Sequence, residues 1–149
     1  MNPLNAASTQ VISFANLRII DSTASAFVRA YSTFELPSSK IYFEATMTTA
    51  AASNMIGVGT SGNLSKYPGE DANSWSYHSG GILYNNSTGT TVAAATTAGD
   101  IVGVAVDMSA GKIWFSVNNT YVASGNPSAG TNPAFSGLTG FFISNSKSI

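Results

Sequence analysis

The chain has 149 residues, enough for a single domain to bury a core of its own. It contains no cysteine, which excludes disulfides and thiolate metal sites. Only 9% of its residues are charged and the formal net charge is −1, which excludes a strongly basic nucleic-acid platform.

Apolar residues make up 44% of the chain, far more than a disordered segment carries. The polar surface therefore has to be largely neutral, and it draws on 22 Ser, 15 Thr and 13 Asn. Such a surface suits a protein packed in an assembly or one that meets uncharged ligands, and it is equally compatible with an ordinary folded domain. The first ten residues lack the basic start and apolar stretch of a signal peptide. The chain contains no apolar run long enough to predict a transmembrane helix.

Short β-strands are predicted along the chain. In chain order the candidates are Val11–Phe14, Leu17–Ile20, Ala26–Tyr31, Lys40–Thr48, Met55–Gly59, Gly81–Asn85, Thr91–Ala95, Ile101–Asp107, Lys112–Val117 and Gly140–Ser144. Lys40–Thr48 alternates strictly, with every second residue apolar from Ile41 to Met47. Strands of this length, separated by Pro, Gly, Asn and Ser clusters, predict an all-β antiparallel sandwich or barrel. We expect one domain over residues 1–149, in which residues 1–9 form an extended N-terminal segment.

One hairpin is predicted in detail, between Ile101–Asp107 and Lys112–Val117. If Asp107 pairs with Lys112, the valines at 102, 104 and 106 share a face with Ile113, Phe115 and Val117. On the other face Ala105 lies opposite Trp114, and Gly103 lies opposite Ser116. Cross-strand pairs of this kind stabilise a sheet by roughly 0.2–1 kcal/mol each. Bulk on both faces predicts a central hairpin whose register is held by an Asp107–Lys112 ion pair.

A family resemblance rests on motifs that follow one another along the chain. In order they are Lys40-Ile-Tyr-Phe-Glu44, Ile56-Gly-Val-Gly59, Tyr67-Pro-Gly69, Ser74-Trp-Ser-Tyr77, Gly80-Gly81, Gly99-Asp-Ile-Val-Gly-Val-Ala-Val-Asp107, Gly111-Lys-Ile-Trp-Phe-Ser116 and Ser124-Gly-Asn-Pro-Ser-Ala-Gly-Thr-Asn-Pro-Ala-Phe135. Together they resemble the SPRY (B30.2-like) domains, in particular those of bacteriophage virion proteins, over roughly Gln10 to Leu138.

The resemblance implies a bent sandwich of two antiparallel sheets that binds ligands mainly through loops at one end and has no general enzymatic activity. It also implies a place in a tail fibre, an adhesin or another surface part of the virion. The residues expected to be structural core are Phe43, Trp75, Tyr77, Val104, Val106, Trp114 and Phe115.

Two departures from the family pattern stand out. Asn118-Asn119 replaces the usual Asn-Gly, although Asn also reaches positive φ at some cost. The closing strand of the family, with its Asn-Phe-Gly-like motif, is missing, because the chain ends soon after Phe141-Phe-Ile143. We therefore expect either a sheet edge left open for another chain or a diverged end, with residues 144–149 as a flexible tail or a partner-contacting end.

Three sequence patterns resemble parts of cofactor-binding, catalytic or metal-binding sites but lack the other features that such sites need. Gly57-Val-Gly-Thr-Ser-Gly62 spells the dinucleotide-binding motif, but Pro68 and the absence of helical periodicity predict a glycine-bent strand end instead. His78 is the only histidine, and no nucleophile elbow accompanies it. Glu70-Asp71 is the only adjacent acidic pair, but it lacks the spaced pattern of a calcium loop. We predict no enzyme, no metal and no cofactor.

The loop Lys66–Trp75 is the predicted binding region. Its ligand-contacting candidates, together with the histidine that follows it, are Tyr67, Glu70, Asp71, Asn73 and His78. Rings beside neutral and acidic groups suit a sugar or a protein surface, whereas inward-facing aromatics would make the same segment structural.

The resemblance therefore implies a non-enzymatic virion surface protein, made in the host cytoplasm, that recognises a host protein or glycan as part of a tail or fibre. The alternative is a structural role in the virion, such as capsid decoration or cement. Either role implies oligomers or an assembly with other virion proteins, without nucleic-acid binding or membrane insertion.

Overall fold

The computed structural model describes residues 1, 4, 6–13, 15, 17–21, 28–48, 53–60, 62–139 and 142–146. Within these ranges the chain is mainly β-strand, and Val122–Ser124 forms a short 3-10 turn. The strands are β1 (Gln10–Ser13), β2 (Arg18–Asp21), β3 (Ala30–Glu35), β4 (Lys40–Thr46), β5 (Met55–Gly59), β6 (Ser74–His78), β7 (Ile82–Asn85), β8 (Thr88–Thr91), β9 (Ile101–Asp107), β10 (Lys112–Val117), β11 (Thr120–Tyr121), β12 (Phe135–Ser136) and β13 (Phe142–Ser146).

Two large antiparallel sheets make up the sandwich. The six-stranded sheet has the order β3-β13-β5-β6-β7-β8, and the five-stranded sheet has the order β11-β10-β9-β4, with β12 also paired to β10. A separate hairpin joins β1 to β2. The predicted all-β antiparallel sandwich is confirmed.

The core lies between the two large sheets. Val102, Val104, Val106, Ile113 and Phe115 reach it from β9 and β10. The six-stranded sheet supplies the opposite wall, including Ile56, Val58, Trp75, Tyr77 and Leu83. In β4 the predicted alternation is confirmed, because its odd-numbered residues are half-buried and its even-numbered residues are exposed.

The β9–β10 hairpin has the predicted register, from Asp107 opposite Lys112 to Val102 opposite Val117. β9 also pairs with β4, so the hairpin is central as expected. The predicted Asp107–Lys112 ion pair is wrong. The Asp107 carboxylate accepts hydrogen bonds from Ser109 and Ala110 and lies 3.8 Å from Lys40, while Lys112 Nζ donates to the Gly130 carbonyl at 2.9 Å. The turn and its neighbours offer these groups closer partners than the facing strand does.

Asn118 and Asn119 both adopt positive φ, 47° and 64°, as the tight turn between β10 and β11 requires. Asn118 also caps the neighbouring loop, because its side chain accepts from the Ile101 amide and donates to Asp100. The substitution of Asn for the usual Gly is therefore accommodated.

The last predicted strand, Gly140–Ser144, is present as β13, Phe142–Ser146. β13 pairs with β5 over its whole length and with β3 on its other side, so it lies inside the six-stranded sheet. Ser144, Asn145 and Ser146 are buried, which corrects the expectation of a tail beginning at residue 144. The sequence pattern did not include the small polar end of this strand, Asn145 and Ser146, and residues 147–149 lie outside the described ranges.

Three other strands differ from the sequence-based expectation. β3 starts at Ala30 rather than at residue 26, and residues 22–27 lie outside the described part of the chain. β8 covers Thr88–Thr91 instead of residues 91–95, because a tight turn at Asn86 and Ser87, both with positive φ, follows β7 directly. The sequence pattern missed β6 altogether, since Ser74–His78 alternates serine with aromatic residues rather than polar with aliphatic ones.

Candidate functional site

The predicted binding loop packs against the outer face of the six-stranded sheet. Ser76 Oγ donates to the Pro68 carbonyl at 2.6 Å, and the Gly69 amide donates to Ser74 Oγ at 2.9 Å. Because Ser74 and Ser76 alternate with inward-facing residues of β6, these bonds hold the loop on the side away from the core. On its other flank, the Ser87 amide donates to the Gly69 carbonyl. The segment is a structural cover for the sheet rather than a free loop tip.

Arg29 anchors this loop from the edge of β3, and its side chain is almost entirely buried. Its guanidinium donates to the Lys66 carbonyl at 2.9 Å, to the Tyr31 hydroxyl oxygen at 3.0 Å and to Asp71 Oδ2 at 2.7 Å. Its backbone amide donates to the Leu64 carbonyl. The planar fork of arginine suits such a site, because its several donors can reach partners in different directions. Asp71 is therefore engaged by the fold, and the sequence pattern gave no sign of Arg29.

The carboxyl group of Asp71 has a lowered pKa. Burial by itself raises the pKa, but the hydrogen bond and charge of Arg29, together with bonds from Ser74 and Asn73, outweigh it. A lowered pKa in the folded state means that the carboxylate contributes stability above its ordinary pKa of 3.8, and that this stability is lost as the pH falls below that value.

We therefore expect the stability difference between the native chain and Asp71→Asn to be largest at neutral pH. It should shrink as the pH falls below about 4, because the native carboxyl then also loses its charge. Urea unfolding of both proteins between pH 7 and pH 3 measures this difference. Glu35→Gln, at an exposed carboxylate on β3, is the control. A difference that stays constant over this range would contradict the role assigned to the charge of Asp71.

The other candidates from this region fall into two groups. Glu70 accepts a hydrogen bond from the Tyr67 amide, so its carboxylate closes the loop on itself, and Asn73 is exposed. Tyr67 and His78 both contact Tyr84 edge to face, at ring-centroid distances of 5.9 Å and 5.8 Å. The fold thus brings Tyr67 and His78 together through Tyr84, a residue that sequence reasoning missed.

The residues expected to be core lie where packing needs them, with one exception. Trp75, Tyr77, Val104, Val106 and Phe115 are buried between the sheets. Phe43 is half-buried and packs against the same cluster. Trp114 is also buried, but it lies on the opposite face of the five-stranded sheet, where its indole NH donates to the Thr131 carbonyl at 2.8 Å. The loop around residues 125–132 covers it.

The glycine-rich segment from Gly57 belongs to a central strand. Gly57 and Gly59 lie in β5, between β13 and β6, and the described residues that follow form turns instead of a helix. Among all the residues that the structure describes, no group of three or more His, Asp or Glu side chains is placed to hold a metal ion. None of the described segments forms a helix of the length and hydrophobicity needed to cross a membrane.

One concavity is a cleft of about 810 Å³ between the sheets. It opens between β4 and the strands β3, β13 and β5, and its apolar lining includes Phe34, Phe43, Ile56 and Ile143. Asn145 also lines it, and the buried Oδ1 of that side chain has no hydrogen-bond partner. Ile56, Phe43 and Ile143 belong to or pack against the core, while Leu17 and Arg18 at the β1–β2 hairpin also line the cleft. The cleft therefore lies at the margin of the core, beside β4.

A second concavity, of about 340 Å³, lies on the outer face of the five-stranded sheet; we call it the outer groove. Ala105 forms its floor between two directly paired neighbours, Tyr42 on β4 and Trp114 on β10. Tyr121 and Pro127 form its far wall. Small residues in the middle strand and large ones on both sides create the depression.

The neighbouring row of this face also has its smallest residue on β9, where Gly103 lies between Glu44 and Ser116. A Cβ atom on Gly103 would lie 2.4 Å from the Tyr42 hydroxyl and 2.5 Å from Ser116 Oγ, so glycine leaves room for the tyrosine to lie across the sheet. The Tyr42 hydroxyl donates to Glu44 at 2.8 Å, and this bond, with a smaller effect of burial, raises its pKa. Tyr42 is held in place, yet 49% of its surface remains exposed.

Polar groups form the rim of the outer groove. The exposed Lys40 and the carboxylate of Asp107 lie at one end, 3.8 Å apart, and Ser128 contributes a hydroxyl. Rings and a proline inside a polar rim are the arrangement typical of protein interfaces, in which Tyr and Trp supply much of the binding energy. The sequence already predicted one part of this groove, because the expected hairpin register places Ala105 opposite Trp114.

Comparisons with known proteins agree with this architecture. The family model described as SPRY domain matches residues 40–143. The SPRY domain of human HERC1 aligns with a TM-score of 0.75 at 16% identity, covering 97% of this chain and 87% of that one. A second human SPRY domain aligns with a TM-score of 0.73 at 19% identity, covering 95% and 89%.

The structure of stonustoxin aligns with a TM-score of 0.72 at 19% identity, and there the alignment covers 96% of this chain but only 24% of the toxin chain. No curated protein matches the sequence significantly. The family match covers well over half of the chain, and the structural alignments confirm the fold. The protein belongs to the SPRY domain family, whose members are protein–protein interaction modules and are generally non-catalytic.

Proposed function

We propose that this SPRY domain is a virion surface module that recognises a host surface protein through the outer groove. The observation that carries the proposal is the depression between the rings of Tyr42 and Tyr121, where the small Ala105 lies between Tyr42 and the buried Trp114. Because these side chains are already positioned by strand pairing, little conformational entropy is lost on binding.

The chemistry of the groove favours a protein ligand. A partner side chain that enters between Tyr42 and Tyr121 gains apolar contact, while Lys40 and Asp107 offer one charge of each sign at the rim. The low net charge of −1 favours contact area over long-range electrostatic attraction as the source of affinity.

Two features of the sequence support a place in a virion. The order of the motifs from Lys40 to Phe135 is similar to that of phage SPRY domains, and the surface is rich in Ser, Thr and Asn with few charges. A domain of this kind exposed on a tail or fibre would present the outer groove to the host cell.

Binding to intact host cells tests the proposed groove. The fluorescently labelled chain is applied to cells from the culture in which the virus grows, and Tyr121→Ala is compared with Tyr84→Ala. Loss of a ring from the groove should lower the affinity at least tenfold, whereas loss of a ring from the opposite sheet should not change it. Equal binding by both variants would reject the groove as the recognition site.

The place in the virion is tested separately. Antibody raised against the chain, visualised by immunogold electron microscopy, should label one end of the particles if the domain belongs to a tail or fibre. Particles that carry no label would reject the virion assignment without affecting the groove.

A second role, decoration or cement of a capsid, is favoured by one specific observation. β4 pairs with β9 on one side, but its outer edge has no strand partner among the described residues. An open edge of this kind is available for contact in an assembly. Label distributed over the whole capsid, together with copurification in a fixed ratio with the capsid protein, would favour this role over host recognition.

A further inference from the structure

The outer edge of β4 differs from the other edges of the sandwich. β4 pairs with β9 over seven consecutive residues without a bulge, and among the described strands β9 is its only partner. The other edges are shorter or irregular. β8 has four residues, β11 has two, and the pairing of β3 with β13 is interrupted by a shift of register. Natural proteins usually protect a long regular edge because it invites another strand.

The backbone groups on this edge follow from the pairing with β9. The Met47 amide donates to the Asp100 carbonyl, and the Met108 amide donates to the Ser39 carbonyl, so odd-numbered residues are bonded to β9. The even-numbered residues Lys40, Tyr42 and Glu44 therefore direct their NH and C=O groups away from β9, toward the open side.

A second copy of β4 fits this edge when it runs antiparallel about a two-fold axis at Tyr42. Tyr42 then pairs with Tyr42 of the second copy, and Lys40 pairs with its Glu44. All three pairs of this register fall on residues whose backbone groups face the edge, so each pair can exchange both of its hydrogen bonds. The contact is isologous and closes on itself, as two-fold symmetry requires.

The charges of the side chains on β4, and the face of the sheet on which they lie, support this register. Lys40, Tyr42 and Glu44 share the outer face of the sheet, and all three are exposed. The two-fold places each lysine opposite a glutamate, with the two tyrosines between the resulting ion pairs. Cross-strand pairs of opposite charge stabilise antiparallel strands, whereas like charges directly opposite destabilise them.

The inner face is also complementary. In the same register Ile41 lies opposite Phe43 of the second copy, and both are apolar residues that pack against the core. Phe43 of this pair lines the inter-sheet cleft together with Phe34, which is 58% exposed. A second copy thus covers apolar surface that the single chain leaves open.

We infer that two copies of this chain dimerise through β4, with Tyr42 on the two-fold axis. The five-stranded sheets become one continuous sheet, and the two outer grooves lie on the same face of it. This inference does not depend on the virion role, since it rests on the edge, its register and its charges alone.

Charge reversal tests the register. In Glu44→Lys, the native Lys40 of one copy faces the introduced lysine of the other copy. In Lys40→Glu, the introduced glutamate of one copy faces the native Glu44 of the other. Each single variant should weaken dimerisation at least tenfold, and the double variant Lys40→Glu/Glu44→Lys should restore it, because the pairs are exchanged and not lost. Glu35→Lys, the same charge change on the exposed end of β3, is the control and should leave the dimer intact.

Sedimentation equilibrium measures the dissociation constants. The native chain is expected at twice its mass of 15.3 kDa. A native chain that stays at the monomer mass at hundreds of micromolar would overturn the inference. So would a dimer that neither single reversal weakens, or one that the double variant fails to restore.

A cysteine cross-link tests the axis directly, because the native chain contains no cysteine. In Tyr42→Cys the two Cα atoms should lie about 5.5 Å apart, within the range of about 4.4–6.8 Å that a disulfide bridges. Mild oxidation should give a covalent dimer, whereas Thr90→Cys on the edge of β8 should remain monomeric on a denaturing gel. Equal cross-linking of both variants would show collision rather than pairing and would overturn the inference.

Discussion

Replacing Arg29 with methionine is expected to lower the free energy of unfolding by about 3 kcal/mol. Removing one partner of a buried ion pair typically costs about 3–5 kcal/mol, because the other charge stays without compensation. The lower end applies here, since the Asp71 side chain keeps 29% of its surface exposed and water recovers part of its solvation. Methionine retains most of the apolar volume, so the loss reports the polar contacts more than a cavity.

The contacts of Arg29 join two regions that are distant in sequence. Its guanidinium links β3 to the loop carbonyl of Lys66 and to Asp71, some forty residues along the chain. Without it, the loop loses its anchor at the edge of the sheet. Amide hydrogen exchange in residues 64–73 of Arg29→Met should therefore accelerate more than exchange in the β9–β10 hairpin.

An exposed ion pair provides the control. Lys40→Met removes the contact with Asp107 across 3.8 Å, where the lysine is 71% exposed, and this should change stability little. Urea unfolding of both variants at pH 7 makes the comparison. If Arg29→Met were as stable as Lys40→Met, the loop would be held by its backbone bonds alone, and the anchoring role of Arg29 would be wrong.

The parts of the fold predicted well from sequence are those where packing and periodicity agree. In the β9–β10 hairpin both faces carry large apolar side chains, so only one register satisfies the core, and the pattern identifies it. In β4 the alternation of half-buried and exposed residues is equally clear. These three strands also carry most of the outer groove, although the pattern alone does not show which of their faces is concave.

The parts predicted poorly depend on contacts between distant segments. β6 carries serines on its outer face because the loop at Pro68 and Gly69 covers them and needs hydrogen-bond partners. β13 ends in small polar residues because it lies between two other strands, where backbone pairing rather than hydrophobicity holds it. Single-sequence periodicity detects neither situation, since both depend on tertiary contacts.

The candidate binding residues show the same limit. The sequence grouped Glu70 and Asp71 with the aromatic residues around them as a ligand site, but each carboxylate has an internal partner in the fold. Which acidic side chain remains available depends on the position of Arg29, and nothing in the local sequence encodes it. The outer groove, in contrast, uses Tyr121, which lies outside the recognised motifs, and Pro127, which lies inside the last of them without being marked as a contact residue.

Substitution of Gly57 by alanine is expected to destabilise the protein by about 3 kcal/mol or more. A Cβ atom at this position would lie 1.9 Å from the Trp75 carbonyl oxygen and 2.7 Å from the Cα atom of Ser76. These are backbone atoms of the neighbouring strand, so no rotation of a side chain relieves the clash and β5 and β6 have to move apart. Overpacking inside a core typically costs about 1–3 kcal/mol, and a clash with backbone belongs at or above the upper end.

Gly89→Ala is the matched control for this prediction. Its added Cβ would approach the Tyr84 ring at 2.8 Å, but Gly89 lies on the exposed edge strand β8 and the ring is the movable end of a side chain. Urea unfolding should therefore show a much smaller loss for Gly89→Ala. The pair also discriminates between the two meanings of the glycine motif. A glycine that served a nucleotide phosphate would tolerate alanine without a large loss of stability, whereas a glycine that lets two central strands approach does not. Equal stability of Gly57→Ala and the native chain would contradict the close approach of β5 to β6 on which the centre of the sheet depends.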